Sequence, residues 1–202
     1  MGLSYLGYIY FISEEVDFIA PEYEEVESSS SEYEAKVELI SNDSVGGGEV
    51  NNFIKSHREE FTQKAIEEVT QLRNDGFDFK YSLDMIIEDY LSEDYLSYVV
   101  MISEYTGGAN INQTVETFTF DRHGNKISLE ELADLEILEE VLTHKLKEME
   151  DDLFPEAYEQ LSIRDIDSFY IDKEKLVIVF SKYEIAPGTA GIIEVTIEFN
   201  EL

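Results

Sequence analysis

Cysteine is absent from the 202 residues, which removes disulfides, thiolate zinc sites and cysteine nucleophiles together and leaves either redox compartment open. Basic residues are scarce: 14 Lys and Arg stand against 46 Asp and Glu, a formal charge of −32. A surface this acidic repels phosphate backbones and anionic headgroups, which argues against nucleic-acid or membrane-surface binding as a main function. No apolar run reaches the roughly 20 residues of a membrane span. The nearest, Leu3 to Ile12, has no Lys or Arg before it, the first base being Lys36. It therefore lacks the basic region of a signal peptide, and reads as a strand or an unstructured end, with the stub of a membrane anchor as the alternative. What the chain does have is apolar and aromatic: 43% hydrophobic residues with 13 Tyr and 12 Phe. An acidic disordered tail would be aromatic-poor, so the chain is expected to fold, as one domain or as two small ones sharing a core.

From Ser13 to Glu34 the composition shifts to Glu, Ser and Tyr, with nine carboxylates and no base. Such a stretch reads as a linker, placing a domain at 33–202 after an N-terminal stub and linker at 1–32, with subdomains at 33–94 and 95–202 as a further division. Ala35 to Ile40 alternates as a short strand. Val50, Phe53, Ile54, His57, Phe61, Ala65, Val69 and Leu72 then fall at helical spacing, with Asn74-Asp75-Gly76 as the stop. Phe77 to Ile87 alternates as a strand, and Tyr95 to Tyr105 is apolar on both faces, which suits a mid-sheet position. Val115 to Phe120 reads as a strand ending in the turn Asp121 to Asn125. Ser128 with Glu131 three residues later is a capping box, and Leu132, Leu135, Leu138, Leu142 and Leu146 continue as one amphipathic helix to about Asp152. Asp167–Ile171 and Leu176–Phe180 read as a hairpin, and Ile193 to Phe199 alternates to the end. The expected class is α+β, an antiparallel sheet packed against two main helices.

Chemistry-bearing patterns are sparse. With 46 carboxylates, closeness in sequence identifies no acid–base pair. His57, His123 and His144 have no metal-ligand spacing, and no Gly-x-Ser-x-Gly elbow is present. Gly46-Gly47-Gly48 is followed by Glu49 rather than by the Lys of a phosphate loop, and Asp165-Ile166-Asp167 lacks the Gly and terminal Glu of a calcium loop. No catalytic residue, metal or cofactor is expected.

Two segments are unusual. Tyr105-Thr106-Gly107-Gly108-Ala109-Asn110-Ile111-Asn112 ends a strand in glycines and small or amide residues, and Tyr183-Glu184-Ile185-Ala186-Pro187-Gly188-Thr189-Ala190-Gly191 links two strands. Each is loop or bulge chemistry on one reading. On the other, the two form a recognition surface whose candidate binding residues are Tyr105, Gly107, Gly108, Ala109, Asn110, Asn112, Tyr183, Ile185, Ala186, Pro187 and Gly191.

Together with Phe120-Asp121, Gly124, Lys126, Leu129-Glu130-Glu131-Leu132, Phe169-Tyr170 and Phe180, these segments resemble the extracytoplasmic domain family shared by RsiV-type anti-sigma factors and the non-catalytic region of PdaC-type peptidoglycan deacetylases. The likeness is good from about residue 95 to the end and holds only in element order before that. Asn110 stands where the family pattern has His, and Gly188 where it has a second Tyr. The resemblance implies a non-enzymatic binding or sensing domain, extracytoplasmic or membrane-anchored, whose partner is a cationic protein of the lysozyme kind or a cell-wall component. A charge of −32 gives a physical reason for a cationic partner. The competing expectations are a carboxylate-dependent hydrolase of cell-wall glycans and an acidic domain adapted to salt with no ligand.

Overall fold

The structure is a computed structural model that describes residues 17–155, 157 and 161–202; the apolar segment Leu3 to Ile12 lies outside them. Among the described residues, eight strands form two sheets. Strands β1 (Tyr23–Ser29), β2 (Tyr33–Ile40), β3 (Tyr81–Leu91), β4 (Tyr95–Tyr105) and β5 (Asn112–Asp121) stand side by side in chain order, and β6 (Phe169–Asp172), β7 (Lys175–Phe180) and β8 (Ile193–Glu198) form a second sheet. The long helix α1 (Gly47–Asn74) connects β2 to β3, and α2 (Leu129–Leu132) and α3 (Leu135–Glu148) lie between the sheets in sequence. The chain is α+β, as its patterning predicts.

The sheet pattern departs from the expected single antiparallel sheet in two ways. β2 and β3 pair in parallel, Tyr33 opposite Tyr81 through Val37 opposite Met85. A helix of 28 residues, about 42 Å long at 1.5 Å per residue, carries the chain back to the end where β2 began, and a parallel partner follows. The second departure is that the last three strands do not extend the first sheet but stack on it. β3 and β4, on either side of residues 94 and 95, pair within one sheet.

Four layers result. Leu83, Met85 and Ile87 of β3 and Leu96, Tyr98, Val100 and Ile102 of β4 pack under Val50, Ile54, Phe61, Ala65 and Val69 of α1. On the opposite face of β4 and β5, Val99 and Val115 meet Tyr170, Val177 and Val179 of the second sheet. That sheet's far face is covered by Leu138, Leu142 and Leu146 of α3. β4, apolar on both sides, is thus sandwiched between two layers, the reason its sequence never alternates. The buried Tyr98 hydroxyl donates to the carbonyl of Val45 at 2.8 Å, and burial pushes it up to about 12.

The contact between sheets also has a polar element. β6 is an edge strand, and its outward N–H groups need acceptors. Phe169 donates to Thr117 Oγ1 at 2.8 Å and Ile171 to Ser97 Oγ at 3.0 Å, while Ser97 and Thr119 share a hydroxyl contact of 2.9 Å. Ser97, Thr117 and Thr119, buried on an otherwise apolar face, set the height and register at which the second sheet docks.

Three local readings change. Tyr23–Ser29, inside the segment read as a linker, is β1, paired antiparallel with β2 from Tyr23 opposite Ile40 to Ser29 opposite Glu34; backbone pairing along β2 orders it although it buries little. Phe77 and Phe79 precede β3, whose pairing starts at Tyr81, and Phe77 is 58% exposed. The helix expected from Ser128 to Asp152 is broken. The capping box at Ser128 and Glu131 opens α2, Ala133 is extended, and Asp134 starts α3 by accepting from the N–H of Glu136 at 2.9 Å. Asp134 is a stronger N-cap than a helix interior residue, and the break turns the leucine stripe of α3 onto the second sheet.

Candidate loop pair and acidic cavity

Tyr105 to Asn112 spans the connection between β4 and β5 with the strand residue on either side, and the connection between β7 and β8 contains Tyr183 to Gly191. Stacking of the sheets brings the two together. The amide of Lys182 donates to the carbonyl of Gln113 at 3.1 Å, its ammonium to the carbonyl of Ile111 at 2.8 Å, and the amide of Val115 to Ser181 Oγ at 3.1 Å. Two loops distant in sequence are held as one surface.

Within that surface the predicted residues play different parts. Ile185 and Ala186 are buried in the core under α3, and the carbonyl of Ile185 accepts from Phe154 at 2.8 Å; they anchor the second loop and have no surface to offer a partner. Tyr105 is half-buried, its ring 6.5 Å from that of Phe79. Gly107 has φ +94°, and a Cβ there would lie 2.9 Å from the Phe79 ring, so glycine lets the loop cross that ring. Gly108, Ala109, Asn110, Ile111, Asn112, Tyr183 and Pro187 are exposed, Gly191 half-buried. Tyr183 sits at φ 72°, unusual for a tyrosine, with its ring laid over Gly188. A Cβ at Gly188 would meet that ring at 2.1 Å. Gly188, where the family pattern has Tyr, therefore makes room for the ring of Tyr183. Lys182 Nζ lies 5.3 Å from the same ring.

Beside the loops lie carboxylates that the sequence could not single out. Glu116 and Asp167 line a cavity of about 330 Å³ with Thr117, Lys126, Ser128 and Phe169. Burial raises the Glu116 carboxyl above its usual range, the charge of Asp167 adds to this, and Lys126 opposes it. Partial burial likewise raises Glu184, whose carboxylate accepts from the Ser181 amide at 2.7 Å, and Asp167 again pushes upward. Asp167 thus acts on Glu116 in the cavity and on Glu184 in the second loop. None of the three has a cation within ion-pair distance among the described residues, and no group of side chains there is gathered to hold a metal. Acids outnumber bases at this corner, where Lys126 lines the cavity and Lys182 ties the loops.

The histidines lie elsewhere. His57 on α1 meets Glu104, one residue before Tyr105, at 2.9 Å, and that contact holds Glu104 below its usual range. His123 lies in the turn after β5, where its amide donates to Asp121, and exposed His144 lies 3.6 Å from Glu148 on α3. No helix among the described residues is long and apolar enough to cross a membrane.

These features define a two-sheet α+β domain whose most distinctive corner is a joined pair of loops beside an acidic cavity. Residues 125–200 match the model of a family described as a protein of unknown function, DUF3298. The matched stretch runs from the turn after β5 through the second sheet, and includes Asp167 and the second loop but not the first. Among solved structures, a DUF3298 family member from Bacteroides fragilis NCTC 9343 has a TM-score of 0.61 at 16% identity, covering 90% of this chain and 91% of that one. A DUF3298 family protein from Pseudomonas aeruginosa PAO1 has a TM-score of 0.56 at 13% identity, covering 93% and 94%. At these identities the likeness is one of fold, and it spans both sheets. No curated protein matches the chain.

Proposed function

We propose that this chain is a non-enzymatic binding or sensing domain of the cell envelope, and that its ligand is a cationic protein of the lysozyme kind or a cell-wall component. The observation that carries the reading is the corner where the Tyr105–Asn112 and Tyr183–Gly191 loops meet beside Glu116, Asp167 and Glu184. A Lys or Arg from a partner would offset the burial, and with it the charge of Asp167, that raises Glu116 and Glu184, and the exposed ring of Tyr183 offers stacking area next to it. The overall charge of −32 would hasten encounter more than it would tighten the complex. The envelope location rests on the resemblance to RsiV-type and PdaC-type domains.

The test is calorimetry with hen-type lysozyme and with cytochrome c as a second basic protein. Expected is binding to lysozyme that weakens steeply towards about 0.5 M salt and is reduced by Tyr183→Ala and by Asp167→Asn. Equal binding of cytochrome c would reduce the reading to charge attraction, and no heat with either protein or with wall fragments would remove it.

One observation favours a second reading, hydrolysis of a wall glycan. Glu116 is a carboxyl with a raised pKa sharing a cavity with Asp167, the arrangement of an acid and its partner carboxylate. Release of reducing sugar from peptidoglycan that disappears with Glu116→Gln would support it.

A further inference from the structure

We infer that the free edge of β1 is a second docking surface, one that takes an extended, basic segment of a partner as an added strand. Among the described residues, β1 is the outermost strand of the five-stranded sheet. The Ser41 amide donates to the Glu22 carbonyl at 2.7 Å and the Ser30 amide to the Tyr33 carbonyl at 2.9 Å. Even-numbered residues therefore bond inward to β2, and the register between them is unbroken. By the antiparallel alternation, Tyr23, Glu25, Glu27 and Ser29 direct both N–H and C=O away from the sheet. No described residue bonds to those backbone groups, and β1 carries no Pro or bulge; the charges that guard this edge are all acidic.

Charge decides the occupant. Glu24, Glu25 and Glu27 are exposed on this strand with Glu22 just before it. The nearby bases are already engaged: Lys36 is held by Glu25 at 2.6 Å and raised by that hydrogen bond and by the surrounding acids, and Lys80 is held by Glu34 at 3.1 Å. A second copy of β1 laid antiparallel on this edge would set Glu25 against Glu27, a like-charge pairing that destabilises a ladder. Self-association is thus opposed and a basic strand favoured. A residue directly opposite Glu25 shares its face, and so does one opposite Glu27, so the fitting segment has Lys or Arg at every second position. Their heads would lie over the outer face of the sheet, where a groove of about 600 Å³ is lined by Glu27, Ser29, Glu34, Lys36, Ser82 and Asp84. Main-chain hydrogen bonds would supply affinity and the alternating charges specificity.

The surface is separate from the loop pair and does not depend on it. The test uses the full chain and three capped peptides of about eight residues, the length that spans β1 at roughly 3.3 Å per residue. The first alternates Lys with Thr. The second is the same peptide N-methylated at the amides that would face β1, and the third gathers the lysines in one block. Expected is binding of the first at least about tenfold tighter than of the other two, with slowed amide exchange at Tyr23, Glu25, Glu27 and Ser29. The double variant Glu25→Gln/Glu27→Gln should weaken it, while Tyr183→Ala leaves it unchanged. Equal binding of the three peptides, or slowed exchange confined to the two loops, overturns the proposal. Loss of lysozyme binding in the earlier test leaves these results untouched, so the two readings fail independently.

Discussion

The ammonium of Lys182, at the start of the β7–β8 connection, donates to the carbonyl of Ile111 at 2.8 Å in the β4–β5 connection, while its amide donates to Gln113. One residue ties two loops from two different sheets. The tie is what makes the pair a single surface.

Lys182→Met keeps the stem and removes the ammonium. A loss of about 0.5–1.5 kcal/mol is expected, the usual net worth of one hydrogen bond. Amide exchange should quicken in 106–112 and leave the strands unaffected. Unchanged exchange in that loop would mean that the ammonium does not restrain it.

Gly188 and Tyr183 form a sterically coupled pair. Gly188→Ala puts a methyl group into the Tyr183 ring, 2.1 Å from its nearest atom, and should cost about 1–3 kcal/mol as the loop shifts. Tyr183→Ala removes the ring, so the double variant should recover most of that cost in urea unfolding. Strict additivity of the two changes would show that the ring does not rest on Gly188 in solution.

Thr117→Val leaves the Phe169 N–H buried without its acceptor. Expected is a loss of about 1–3 kcal/mol and a lowered melting temperature, with Thr117→Ser close to the parent because the hydroxyl is kept. Equal stability of the Ser and Val variants would show that the hydroxyl is not what docks β6.

The raised Glu116 carboxyl sets a pH dependence of definite sign. A carboxyl whose folded pKa lies above the unfolded value of about 4.3 binds its proton more readily when folded. Its favourable contribution is complete below that value and is lost as pH rises through the raised one. Glu116→Gln should therefore stabilise the protein at neutral pH and change little near about pH 3.5. Glu104, held down by His57, runs the other way: its contribution is present above the usual carboxylate range and is lost as pH falls. Urea midpoints across pH 3–8 for Glu116→Gln and Glu104→Gln should separate the two, and a Glu116→Gln variant less stable at neutral pH would contradict the first.

Self-repulsion at a charge of −32 should make the melting temperature rise with added KCl up to about 0.5 M. The rise should be smaller once a cationic ligand is bound. A melting temperature indifferent to salt would mean that the acids lie too far apart to repel.

Elements carried by strong periodicity were legible. Tyr95–Tyr105, the hairpin at Lys173-Glu174, the capping box at Ser128 and the long helix all stand where the pattern puts them. β1 was not, because Tyr23–Ser29 buries little and is ordered by backbone pairing with β2, which leaves no hydrophobic signature. The break between α2 and α3 was missed because the leucine spacing runs straight through Ala133, and only the competition of Asp134 for an N-cap stops the helix. At the candidate site the two loops stood out by their Gly and Pro content. Ile185 and Ala186, which looked the same in sequence as their exposed neighbours, turn inward as anchors.

The sequence alone determined that this chain folds as α+β, that it carries almost no chemistry of the cysteine, histidine or phosphate-loop kind, and that any partner drawn by charge is cationic. These follow from composition and from short-range periodicity, which depend only on neighbours along the chain. Tertiary structure decided that the last three strands stack on the first sheet instead of joining it, that β2 and β3 run parallel, and that Asp167 lines one cavity with Glu116 while its charge also reaches Glu184. Each of these is a relation between residues far apart in the chain. With 46 acids to choose from, nothing short of the packed sheets could say which three would share a corner.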